Sequence, residues 1–194
     1  EALDESGLVV ANVTARVAQP GSKGLSGINV AMGNGDLAPP CSVSTDPFCD
    51  GRGYNNYTVE VVDRFGADSF TPGHGVLFSR TKNQDSLPFV YIMDAHPEDM
   101  NKVDFLRPDG TPSMVTIADW RQLNDATFHA GLESGSQYEY VDQPNRLHFY
   151  VIEKFEQNGV GEYEVAVRSL DGDGPHLRGV DLANGTVGKR TRDG

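Results

Sequence analysis

The sequence has no run of about 18 apolar residues, the length a helix needs to cross a bilayer. A helical membrane span is thereby excluded. Basic residues are scarce: 16 Lys and Arg face 28 Asp and Glu, a net charge of −12. Such a surface repels nucleic acid and anionic lipid, so neither is expected as a partner. HExxH is absent, and so is GxSxG, which removes the usual signatures of a zinc helix and a serine nucleophile elbow. The five histidines, at 74, 96, 129, 148 and 176, never stand four apart, so no helix face can aim two of them at one metal. Cysteine is nearly absent, with two residues in 194. The opening, "EALDESGLVV", lacks the basic start and apolar block of a secretory leader. The sequence reads as beginning after processing, or inside a longer protein.

Turn formers and short apolar bursts fill the remainder. There are 22 glycines and 11 prolines. Around Val9, Ala11, Val13, Ala15 and Val17 apolar and polar residues alternate, which predicts a strand with one buried face. "GINVAMGNGD" predicts a second, and "YTVEVVDRFG" a third with Tyr57, Val59 and Val61 on one face. "HGVLFSRT", "LPFVYIMDAH" and "SMVTIADW" are of strand length. Leu147 to Phe155 and Tyr163 to Val167 flank "EQNGVG" and predict a hairpin. Helical pattern is limited to "PEDMNKVDFL", where Pro97 precedes acids, and to a turn or two in "ADWRQLNDATFHAG". The expected fold is an all-β antiparallel sandwich with long loops and little helix. Residues 1–185 would form a single β-rich domain and 186–194 a polar tail.

Several residue groups are candidates for chemistry. Cys41 and Cys49 bracket seven residues and read as a disulfide, the alternative being two buried thiols. Asn12, Asn56 and Asn184 open glycosylation sequons. With the cysteine pair, these place the protein outside the cell. Asp171 and Asp173 alternate with glycine in "SLDGDGPH", an arrangement of oxygen donors suited to calcium, although the twelfth-position glutamate of an EF-hand is missing. Calcium is the one cofactor the sequence suggests. Asp94 and Glu98 could act as acid and base, but capping a turn after a strand is the simpler role. His148 should face solvent or a hydrogen bond in the core. In "SFTPGHGVLFSR", Pro72 and Gly73 are expected to make a turn, with His74 exposed on it and Val76 and Phe78 buried in the following strand.

"YTVEVVDRFGADSFTPGHGVLFSR", then "PFVYIMDAHPEDM" and "WRQLNDATF", resemble in order and spacing a segment of secreted immune-inhibitor-A-like (M6) metallopeptidases. The likeness runs from Tyr57 to Phe128. In that family the zinc-binding helix lies upstream of this segment, and nothing upstream of Tyr57 supplies it here. The resemblance therefore implies a region of fold and a lineage, with no catalytic residue carried over. It implies a non-catalytic β-rich region that supports or flanks a catalytic domain of the same precursor. The alternative is an extracellular module that binds carbohydrate or protein through Trp120, Tyr138 and Tyr140.

Overall fold

The computed structural model describes residues 7–18, 24–42, 44–46, 49–69, 71, 74–98, 103–106, 109–114, 126–131 and 137–171. Among them are ten strands: β1 Leu8–Thr14, β2 Ile28–Ala31, β3 Asn56–Val62, β4 Gly75–Thr81, β5 Val90–Ile92, β6 Val103–Leu106, β7 Pro112–Met114, β8 Glu139–Asp142, β9 Leu147–Gln157 and β10 Val160–Ser169. One four-stranded antiparallel sheet has the order β1-β10-β9-β8, and a second has the order β2-β3-β4-β5. Strands β6 and β7 form a separate pair. The only helical turn among the described residues is the single 3-10 turn Gly66–Asp68.

The period-two pattern decides which side chains go inside. In β3, Tyr57, Val59 and Val61 are fully buried, and across the register Val76 and Phe78 of β4 are too. They meet Phe149, Val151, Tyr163, Val165 and Val167 of the facing sheet in one core. Aromatic rings cross the gap: Phe149 stands 4.8 Å from Tyr57 and 5.2 Å from Phe78, both tilted. Burying one such side chain contributes about 1.5–3 kcal/mol, so this face dominates the fold.

The β9–β10 hairpin turns on two residues, Asn158 and Gly159, both at positive φ (55° and 76°). Asparagine followed by glycine tolerates that geometry, which matches the twist of the flanking strands. The arms are longer than the alternation suggested, because Glu156 and Gln157 still pair before the turn.

One expectation is overturned and another is only partly covered. Val103 to Leu106, in "PEDMNKVDFL", is strand rather than helix. Pro108 stops a helix from running on, and pairing with Pro112–Met114 gives the segment its main-chain partners as a short strand instead. In "SMVTIADW" only the start is described, within β7; residues 115–125, with Trp120, lie outside the described residues, as do Pro72, Gly73 and the 186–194 tail.

Candidate functional site

Among the described residues, a group of buried polar side chains sits between the sheets. Arg80 follows Phe78 by two in β4, so it shares the inward face. Its partner across the register is Tyr57. In β8, Tyr140 and Asp142 also point inward, beside β9. The loop that carries the Cys41–Cys49 disulfide delivers Asp50 to the same place.

Arg80 is 5% exposed and all three of its guanidinium nitrogens donate hydrogen bonds. Nη1 bonds the Asp50 carboxylate, Nη2 donates to Asp142 Oδ2 at 2.8 Å and to the Tyr140 hydroxyl at 3.3 Å, and Nε donates to the Tyr57 hydroxyl at 2.6 Å. Tyr57 in turn donates to Asp142. Asp50 is held from its other side by Arg52 Nη1 at 2.7 Å, while its carbonyl accepts from the Tyr54 hydroxyl at 2.6 Å. Asn145 donates to Asp142 Oδ2 at 2.8 Å and to Asp36 Oδ1 at 3.1 Å.

Titration follows from these contacts. Burial, the largest influence on Asp142, works to raise its pKa. Hydrogen bonds from Tyr57 and Asn145 and the charge of Arg80 outweigh it, and the group lies below the ordinary carboxylate value. Burial also works against the Arg80 charge, but contact with Tyr57, Tyr140 and Asp142 holds the guanidinium protonated. Burial keeps the Tyr57 phenol neutral, and it pushes Tyr54 and Tyr91 up to about 12. A chemically available acid or base would need a pKa near the working pH. These groups have been moved away from it, so the cluster acts as a fixed tie between β4, β8 and the disulfide loop.

A second, smaller group joins His74 and His129, whose rings are 5.4 Å apart. His74 is not the exposed turn residue the sequence suggested. It is half-buried, with Nδ1 shut away from solvent and without a partner. The segment 126–129 presses onto the start of β4: Val76 and Phe128 exchange main-chain bonds, and His129 Nε2 lies 2.6 Å from the His74 carbonyl. Gly75 permits that approach. A Cβ there would stand 2.7 Å from His129 Cδ2 and 2.8 Å from the Phe128 carbonyl, at a φ of +151°.

The other candidates are dispersed. His148 lies 3.0 Å from Glu139 and stacks 3.9 Å from Tyr150; burial lowers its pKa although Glu139 pulls the other way. The Asp94 carboxylate accepts the His96 amide at 2.8 Å, a turn-capping contact, and Glu98 is exposed. Asp171 accepts from Arg146 Nε at 2.9 Å on the surface, and Asp173 lies outside the described residues. No three His, Cys, Asp or Glu residues among the described ones are grouped to hold a metal. Asn12 is half-buried in β1; Asn56 is buried, its Nδ2 donating to Asn83 Oδ1 at 2.6 Å; Asn184 is not among the described residues. Of the three aromatics proposed as a platform, Tyr140 packs into the core against Tyr57, Phe128 and Phe149. Tyr138 is only partly covered.

The Arg80 cluster was not singled out from the sequence. A signal existed: in "GVLFSRT" an arginine falls two residues after a buried phenylalanine, and in "EYVD" a tyrosine and an aspartate share a face. What could not be read was that the two faces meet.

Fold and cluster together define a disulfide-bearing β-sandwich domain tied across its core by a buried arginine. The chain belongs to the family described as ARB_06334_M, middle domain, whose model matches residues 1–170. It is 55% identical over 183 residues to a protein of Arthroderma benhamiae named "Putative secreted metallopeptidase". The match covers 94% of this chain and 26% of that protein, so the chain spans about a quarter of the relative's length. No solved structure matches the chain. The relative's secreted status agrees with the extracellular reading of the cysteines, and no helix among the described residues is long and apolar enough to cross a membrane.

Proposed function

We propose that this chain is the non-catalytic middle domain of a secreted metallopeptidase-like protein of the immune-inhibitor-A-like (M6) lineage. Its work is mechanical: a rigid β-sandwich that supports a catalytic domain encoded elsewhere in the same precursor. The match of residues 1–170 to a middle-domain family carries the reading. The interior supports it, since Asp50, Asp142 and Arg80 are engaged with one another rather than presented to a substrate.

The test is direct. Purified protein is incubated with unfolded casein, with and without added zinc, and is expected to leave it intact. Cleavage that survives repurification and is abolished by a chelator would show a catalytic site in this chain and end the proposal. Sequencing the full precursor supplies the second arm: an HExxH helix upstream of Glu1 is expected, and its absence would remove the M6 lineage.

A further inference from the structure

Two of the sequons fall on described strands, and the fold treats them oppositely. Asn56 of β3 is buried, with Nδ2 donating to Asn83 Oδ1 at 2.6 Å and Oδ1 accepting from Asn29 at 3.4 Å. Asn12 of β1 precedes Val13, which is fully buried in the core. By alternation Asn12 stands on the opposite face of its sheet, the one that carries Leu8 and Val10. It is half-buried, and among the described residues its side-chain amide makes no hydrogen bond. Its neighbour across the register is Glu164, and on the same face Glu162 accepts from Thr14 Oγ1 at 3.3 Å. Substituting the Asn12 nitrogen therefore breaks no bond of the described fold, whereas substituting that of Asn56 breaks a buried one.

The order of synthesis acts in the same direction. Strand β1 pairs with β10, so Asn12 has no place in a sheet until Glu164, far along the chain, has been made. Asn56 needs only Ala31 of β2 and Thr81 of β4. A chain grows at roughly 5–20 residues per second, which leaves Asn12, Val13 and Thr14 without β10 for on the order of ten seconds. That interval matters because Thr14 is 5% exposed once folded and its hydroxyl is engaged. An enzyme that reads the triplet has to do so before β1 joins its sheet.

We propose that Asn12 carries an N-linked glycan in the secreted protein and that Asn56 carries none. The donor is a lipid-linked oligosaccharide, met on the route open to a secreted chain. Asn12 Nδ2 forms a bond to the anomeric carbon of the first sugar. The bond from that carbon to the lipid pyrophosphate breaks, and the released pyrophosphate takes up the amide proton. Once attached, the bulky polar sugar holds the patch around Asn12 and Glu164 in water. A chain modified at Asn56 could not bury that side chain and would lose its contact with Asn83. The proposal stands apart from the middle-domain reading, and casein cleavage by this chain would leave it untouched.

The experiment takes the full-length precursor secreted by a eukaryotic host and removes its N-glycans enzymatically in heavy-oxygen water, with a parallel digest that omits the enzyme. Peptide mapping should find the heavy label on Asn12 at about tenfold or more the level on Asn56. Asn12→Gln should abolish the label on that peptide, and Thr14→Ser, which keeps the sequon and the hydroxyl, should retain it. An unlabelled Asn12 peptide in the unmutated secreted protein would overturn the proposal. So would label on Asn56 at the level of Asn12, or label on Asn12 that appears equally without the enzyme, which would be deamidation rather than a sugar.

Discussion

Arg80 shows how a single residue can set the chemistry of the groups around it. A buried ion pair is weak evidence for net stability, since desolvation offsets much of the attraction. Removing one partner is different, because the charges left behind stay buried. Arg80→Met leaves the buried Asp142 carboxylate without a cation and Asp50 with Arg52 alone, and should cost about 3–5 kcal/mol, read as a lower urea midpoint at unchanged slope. Lysine should rescue only part of this, since one ammonium cannot reproduce the fork that reaches Asp50, Asp142, Tyr57 and Tyr140 at once. A cost within experimental error for Arg80→Met would show that the tie contributes nothing. Asn56 carries a second prediction at this scale. The nitrogen that would accept a sugar is buried and bonded to Asn83, so the folded protein should be unmodified there. Peptide mapping after enzymatic deglycosylation in heavy-oxygen water should show no mass increment at Asn56, and full occupancy would contradict its placement.

Between residue and fold stand the elements, and two of them depend on close covalent or steric fit. The Cys41–Cys49 bond closes the loop whose next residue is Asp50. Closing a loop of this size removes entropy from the unfolded chain worth about 2–3 kcal/mol. The double variant Cys41→Ser, Cys49→Ser should lose at least that, and more if Asp50 then drifts from Arg80. A smaller loss would mean that the loop is held by its hydrogen bonds alone. The junction of β4 with residues 126–129 depends on Gly75. Gly75→Ala introduces a methyl group against the Phe128 carbonyl and the Thr127 and His129 side chains in a backbone conformation that disfavours it. A loss of roughly 1–3 kcal/mol is expected from such overpacking. A melting temperature equal to that of the unmodified protein would show that the strand start yields more easily than the contacts imply.

For the molecule as a whole, pH is the informative variable. Asp142 titrates lower in the folded state than unfolded, so its stabilisation is present above the unfolded value of about 3.9. It is lost as pH falls through the folded value. His148 acts in the same direction. Burial puts its folded pKa below 6.5, so the unfolded chain binds more protons between the two values and stability rises with pH up to about 6.5. Urea midpoints should therefore fall on acidification from neutral pH, first gently through His148 and then through Asp142. Asp142→Asn should flatten the acid limb, and His148→Gln the gentler one. An unchanged acid limb in Asp142→Asn would move the origin of acid sensitivity elsewhere.

Alternation and turn chemistry act between near neighbours, and so the sequence by itself determined the core strands β1, β3, β4, β9 and β10, their buried faces and a hairpin turn within EQNGVG, but neither β6 nor β8. Val76 and Phe78 had to go inward whatever lay opposite, because burial follows local pattern. The likeness from Tyr57 to Phe128 similarly pointed to a metallopeptidase setting before any distance was known. The Arg80 cluster was another matter. Asp50, Tyr57, Arg80 and Asp142 span 92 positions of the chain and meet only when the two sheets close. His74 followed the same logic: the residues around it read as a turn, and the return of residues 126–129 sets the His129 ring 5.4 Å from its own. Long-range contact has no period in sequence, so tertiary packing alone decided which polar groups came together.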